Sequence, residues 1–151
     1  MEEVLTYNDG CVPECARTMY VQFQSYKDKV ACGKLYSMYY KQEFDFYGLD
    51  QLLLIMDDIM DSVNYPQSSV GHRHFKGSSP YFLDLSAWTL RKDLNSPGEE
   101  RFNAAKTGVE IRVYYRQQAS MQGEIRVKGR KVYFRSGMEL MRLLHQYLQK
   151  S

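Results

Sequence analysis

The sequence predicts an α+β fold in which a strand, strand, strand, helix unit occurs twice, and three observations predict it. Segments 20–61 and 109–149 carry the same order of hydrophobic patterns. Each has a glycine in its second strand, Gly33 and Gly123, and each has a phenylalanine just ahead of its helix, Phe46 and Phe134. Aligned on those residues, Val21 and Phe23 fall opposite Ile111 and Val113, Leu35 falls opposite Ile125, and 46–52 falls opposite 134–140. A repeat this long is a duplicated supersecondary unit, not a solenoid. The expectation is one domain of 151 residues, an antiparallel sheet with both helices on one face, and a linker subdomain over 64–108.

Residues 1–18 hold the turn formers Asn8-Asp9-Gly10 and Pro13 and read as an irregular lead-in. Met19, Val21 and Phe23 then alternate with Tyr20, Gln22 and Gln24, the period of a half-buried strand over 19–26. Ala31, Gly33 and Leu35 continue the inward face in strand two, and Phe44 and Phe46 continue it in strand three. Leu52, Leu53, Met56, Ile59 and Met60 recur at helical spacing and predict a helix over 49–61, capped by Gly48 with Gln51 three residues on. The second helix has a stronger start, because Ser136 and Glu139 form the S-x-x-E capping box, and its stripe is Leu140, Leu143, Leu144, Tyr147 and Leu148. Between the units, 64–80 reads as loop, Tyr81 to Arg91 as a strand carrying Trp88, 95–98 as a turn and Glu99 to Lys106 as a short helix.

Period two also fixes what faces away from the helices. With Val109, Ile111, Val113, Ile125, Val127, Val132 and Phe134 inward, the second unit turns Arg112, Tyr114, Arg116, Glu124, Arg126, Lys128, Tyr133 and Arg135 outward, with Arg130 and Lys131 at the hairpin tip. Arginines interleaved with tyrosines supply what single-stranded nucleic acid needs, guanidinium for phosphate and flat rings for bases. The same composition also suits any solvated antiparallel face. In the first unit the outward set includes Tyr20, Tyr26, Tyr36 and Tyr47, a nearly neutral aromatic face suited to a protein partner or to a second copy.

Charge is divided unevenly. Residues 1–62 hold 5 Lys+Arg against 11 Asp+Glu, and 63–151 hold 15 against 7, so a net −6 half precedes a net +8 half. Such halves can attract each other within a chain or between two chains, which favours a homodimer over a monomer. Three cysteines, Cys11, Cys15 and Cys32, are an odd set in a chain that needs no disulfide framework, so reduced thiols are expected. Cys11 and Cys15 with His72 and His74 compose a Cys2His2 zinc set on paper, but polar loops carry the same residues, and no metal or cofactor is expected. No nucleophile elbow, phosphate-binding glycine loop or H-E-x-x-H occurs, which argues against an enzyme. No run of about 18 apolar residues could span a bilayer. Met1-Glu2-Glu3-Val4 lacks the basic start of a signal peptide, so a cytoplasmic protein is expected.

The densest polar turn is Arg116-Gln117-Gln118-Ala119-Ser120-Met121-Gln122-Gly123, and Phe134-Arg135-Ser136 and Glu139-Leu140 follow it. With these motifs about the last 40 residues resemble small uncharacterised Firmicutes proteins that share R-Q-x-A-S-x-Q-G followed by F-R-S-x-x-E-L; Met121 stands where a tryptophan is expected. The resemblance implies no function. From the residues alone, the expected function is non-enzymatic binding of another macromolecule, most simply a protein, by a small regulatory or inhibitory factor. Anti-defence inhibitors of bacterial or phage mobile elements, such as anti-CRISPR proteins, have this size and lack of catalytic motifs. A single-stranded nucleic-acid binder is the alternative, and a metal-dependent or thiol enzyme the third reading.

Overall fold

A computed structural model describes residues 12–69, 71, 75–76, 90–91 and 108–150. In chain order these form α1 (Val12–Arg17), β1 (Thr18–Lys27), β2 (Val30–Ser37), β3 (Gln42–Tyr47), α2 (Leu49–Val63), β4 (Leu90–Arg91), β5 (Gly108–Tyr115), β6 (Gln122–Val127), β7 (Arg130–Phe134) and α3 (Gly137–Gln149). The α+β class is as expected. All strand pairs are antiparallel, in the order β4-β3-β2-β1-β5-β6-β7, so the first strands of the two units, β1 and β5, meet at the centre.

One hydrophobic core joins the inward residues of the strands to both helices. Met19, Leu35, Phe44, Ile111 and Phe134 from the sheet are sealed beneath Leu52, Ile55, Met56 and Ile59 of α2 and Leu140 and Leu144 of α3. Two-residue turns at Asp28-Lys29 and Lys128-Gly129 take positive φ throughout, the conformation whose twist matches a hairpin. The α3 start follows the sequence: Ser136 Oγ accepts from the Glu139 N–H at 3.1 Å, and Glu139 Oε1 accepts from the Arg135 N–H at 2.7 Å. In α2 Gln51 does the second of these jobs, accepting from the Tyr47 N–H at 2.8 Å, while Gly48 at φ 97° makes no side-chain cap.

The glycines hold equivalent places. Gly33 lies between Phe23 and Phe46, and Gly123 lies between Val113 and Phe134. Beside each, the central strand has a bulge, between Phe23 and Ser25 in β1 and between Val113 and Tyr115 in β5.

Some expectations are corrected. Part of the irregular lead-in is helical, since Pro13 falls in the first turn of α1, where a missing N–H breaks no helical bond. Val132 is 47% exposed rather than inward, because α3 does not cover the hairpin tip. Asp57, Asp58 and Asp61 of α2 turn partly toward protein: Asp58 is buried, and the other two hold Arg116. Of the expected strand 81–91 only β4 is described; Trp88, the 95–98 turn and the 99–106 helix lie outside the described residues.

Candidate binding surface

The bulges decide which side chains reach the surface. An extra residue in a strand reverses the alternation beyond it, so Tyr26 and Arg116 pass from the outer face to the helix face. Tyr26 is hydrogen-bonded through its hydroxyl to His145 Nδ1 on α3 at 2.8 Å. Arg116, 2% exposed, donates to Asp57 at 3.0 Å and Asp61 at 2.5 Å on α2 and to the Pro66 carbonyl at 2.6 Å. Asp57 and His145 each stand eleven residues after their unit's phenylalanine. The end of each central strand therefore delivers a side chain to the helix of the other unit.

Arg116→Met would leave two partly buried carboxylates facing each other, and it is expected to cost about 3 kcal/mol of folding stability. Urea unfolding at neutral pH measures this. A midpoint equal to wild type would mean that solvent screens the site.

The outer face of the second unit is basic but neutralised. Glu124, only 1% exposed, accepts from the Tyr114 hydroxyl and from Arg126 at 2.7 Å, with Lys131 Nζ at 3.8 Å. Arg112 lies 3.6 Å from Glu110. Arg135 pairs with Glu139 at 2.7 Å. These bonds hold Arg126 and Arg135 protonated above their ordinary values and hold the Glu139 carboxyl below its own. A depressed carboxyl contributes stability that is present above the unfolded-state value and lost as pH falls through the folded one. Glu139→Gln, which keeps the cap acceptor, should therefore lower the urea midpoint at neutral pH and match wild type in acid. A pH-independent difference would refute the ion-pair origin.

In the first unit the charges are inverted at the matching place. Lys34, next to Gly33 as Glu124 is next to Gly123, is buried and lies 3.3 Å from Asp45 and 3.7 Å from Glu43. The tyrosine face expected there is mostly closed. Tyr20 is 5% exposed and packs near Tyr36, Tyr26 faces α3, and of the four only Tyr47, at 71%, is open.

Three residues of the polar turn 116–123 have structural jobs. Arg116 binds α2. Gln122 accepts from the Gln117 N–H and donates to its carbonyl, both at 3.0 Å, closing the turn. Ser120 Oγ accepts from the Gly137 N–H at 2.9 Å, tying that turn to the start of α3. The turn and the helix cap were legible as structure from sequence; these contacts depend on residues brought together by the fold.

Exposed apart from these networks are Tyr115, Tyr133, Lys128, Arg130 and the edge strand β7. Cys15 and Cys32 are half-buried thiols, and Cys11, His72 and His74 of the expected zinc set lie outside the described residues. No helix among the described residues is long and apolar enough to cross a membrane. No protein family, curated protein or solved structure matches the chain.

Proposed function

We propose that the protein is a non-enzymatic binding protein of the cytoplasm, a small regulatory or inhibitory factor that acts through contacts with another protein. One observation carries this reading. The polar groups over most of the sheet satisfy one another, whereas edge strand β7 leaves Arg130, Lys131, Val132 and Tyr133 exposed and has no second strand neighbour among the described residues. Inhibitors of host defence systems carried by mobile elements are one class that works through such small-protein contacts. The matched glycines, bulges and cross-unit contacts support the reading of the two units as copies of one ancestor.

Affinity capture from a native lysate, with mass spectrometry of both protein and nucleic acid, tests it. A stoichiometric protein partner is expected; retention of nucleic acid alone would overturn it.

A second reading keeps one specific observation. Tyr133 and Tyr115 are 62% and 59% exposed, and each ring centroid lies 6.4 Å from that of Tyr114, a potential stacking platform for single-stranded nucleic acid. Against it, phosphate would have to displace Glu124, Glu110 and Glu139 from Arg126, Arg112 and Arg135. If this reading holds, charge reversal at those three arginines abolishes oligonucleotide binding, and binding falls steeply with salt. Wild-type protein without affinity for single strands at low salt removes it.

A further inference from the structure

We infer that β7 and the groove beside it dock an extended, acidic segment of a protein partner, added to the sheet as a further strand. The inference rests on the proposed role as a protein-binding factor and names the site and the partner chemistry.

The groove lies between the β6-β7 hairpin and the second half of α3 and encloses about 360 Å³. Its floor is apolar, with Val132, Leu143 and Tyr147, and its rim carries Lys128, Arg130 and Lys150. Among the described residues no acidic residue lines it, and these three cations have no carboxylate partner. They contrast with Arg112, Arg126, Lys131 and Arg135, each of which faces a glutamate of its own unit. A cationic rim around an apolar floor selects a ligand with carboxylates flanking apolar side chains.

The backbone beside the groove is suited to the same ligand. The Lys128-Gly129 turn makes Val127 and Arg130 the hydrogen-bonded pair of the hairpin. Alternation then points the N–H and C=O of Lys131 and Tyr133 away from β6, toward the open edge. A strand added there would send every second side chain toward Val132 and the groove. A second copy of this chain fits less well, because its β7 brings the cations Arg130 and Lys131, not carboxylates, to a rim that already carries Lys128, Arg130 and Lys150.

The probe is a fluorescein-labelled peptide of about eight residues in which glutamate alternates with valine, titrated at low salt and read by fluorescence polarisation. Saturable binding is expected. It should weaken about tenfold or more when Lys128, Arg130 and Lys150 are all reversed to Glu, and likewise in Lys131→Pro, which removes an edge N–H; Lys131→Ala should have the smaller effect. Circular dichroism checks that each variant is folded. Undetectable binding up to about 1 mM, equal binding by a lysine-valine peptide, or equal binding by the charge-reversed protein would each overturn the site. So would a dimer by light scattering that Lys131→Pro dissociates, since a second copy would then occupy the edge. A protein partner captured from lysate equally well by wild type, Lys131→Pro and the charge-reversed variant would overturn this site while leaving the binding role intact.

Discussion

Gly33→Ala and Gly123→Ala are each expected to destabilise the protein by about 3 kcal/mol or more, a large share of a marginal domain's stability. The backbone at both glycines is ordinary strand; what excludes a side chain is space. A Cβ on Gly33 would overlap the Gln22 carbonyl oxygen and come within 3.0 Å of the Phe23 Cα, and one on Gly123 would overlap the Arg112 carbonyl oxygen and come within 2.9 Å of the Val113 Cα. All of these atoms are backbone, held by the central strands, so no rotamer change relieves the overlap. Circular dichroism and urea unfolding of the two variants provide the check. Cooperative unfolding at the wild-type midpoint in either would show that the strands part freely at the bulge.

Phe46→Ala and Phe134→Ala are expected to cost about 3 to 5 kcal/mol each, because both rings are almost wholly buried where strand, helix and neighbouring glycine converge. Phe46 also meets the Phe23 ring edge-on at 5.8 Å. Its removal therefore loses an aromatic contact as well as leaving a cavity. Denaturant midpoints of the two single variants and of the double test this. A loss below about 1 kcal/mol at either position would mean that the core collapses around the gap.

These four residues were legible in the sequence because glycine and phenylalanine announce themselves by type and recur at matching places. The helices were legible for a similar reason: their apolar spacing and the Ser136-Glu139 cap are local. The surface was less legible. Alternation assigned Arg116 and Tyr26 outward, and it failed at both for one cause, a bulge whose position depends on the neighbouring strand and its glycine. The burial of Lys34 and Glu124 was also hidden, since it follows from the closeness of Glu43 and Asp45 in one case and Tyr114 and Arg126 in the other. Asp57 and Asp61 owe their partner to the fold, which brings a guanidinium to them from 55 or more residues away. The groove was invisible for a different reason: Val132 was assigned to the core, and only the path of α3 leaves it in the floor of a groove whose rim cations have no carboxylate partner among the described residues.

The exchange of side chains across the seam bears on how such a molecule could be divided. A lone βββα unit would hold a central strand ending in a side chain with no receiver, and a helix whose receiving position stays empty. The Tyr26–His145 and Arg116–Asp57/Asp61 contacts form only when both units are present. Fragments 12–69 and 108–150 should behave accordingly, each incomplete alone and each supplying what the other lacks.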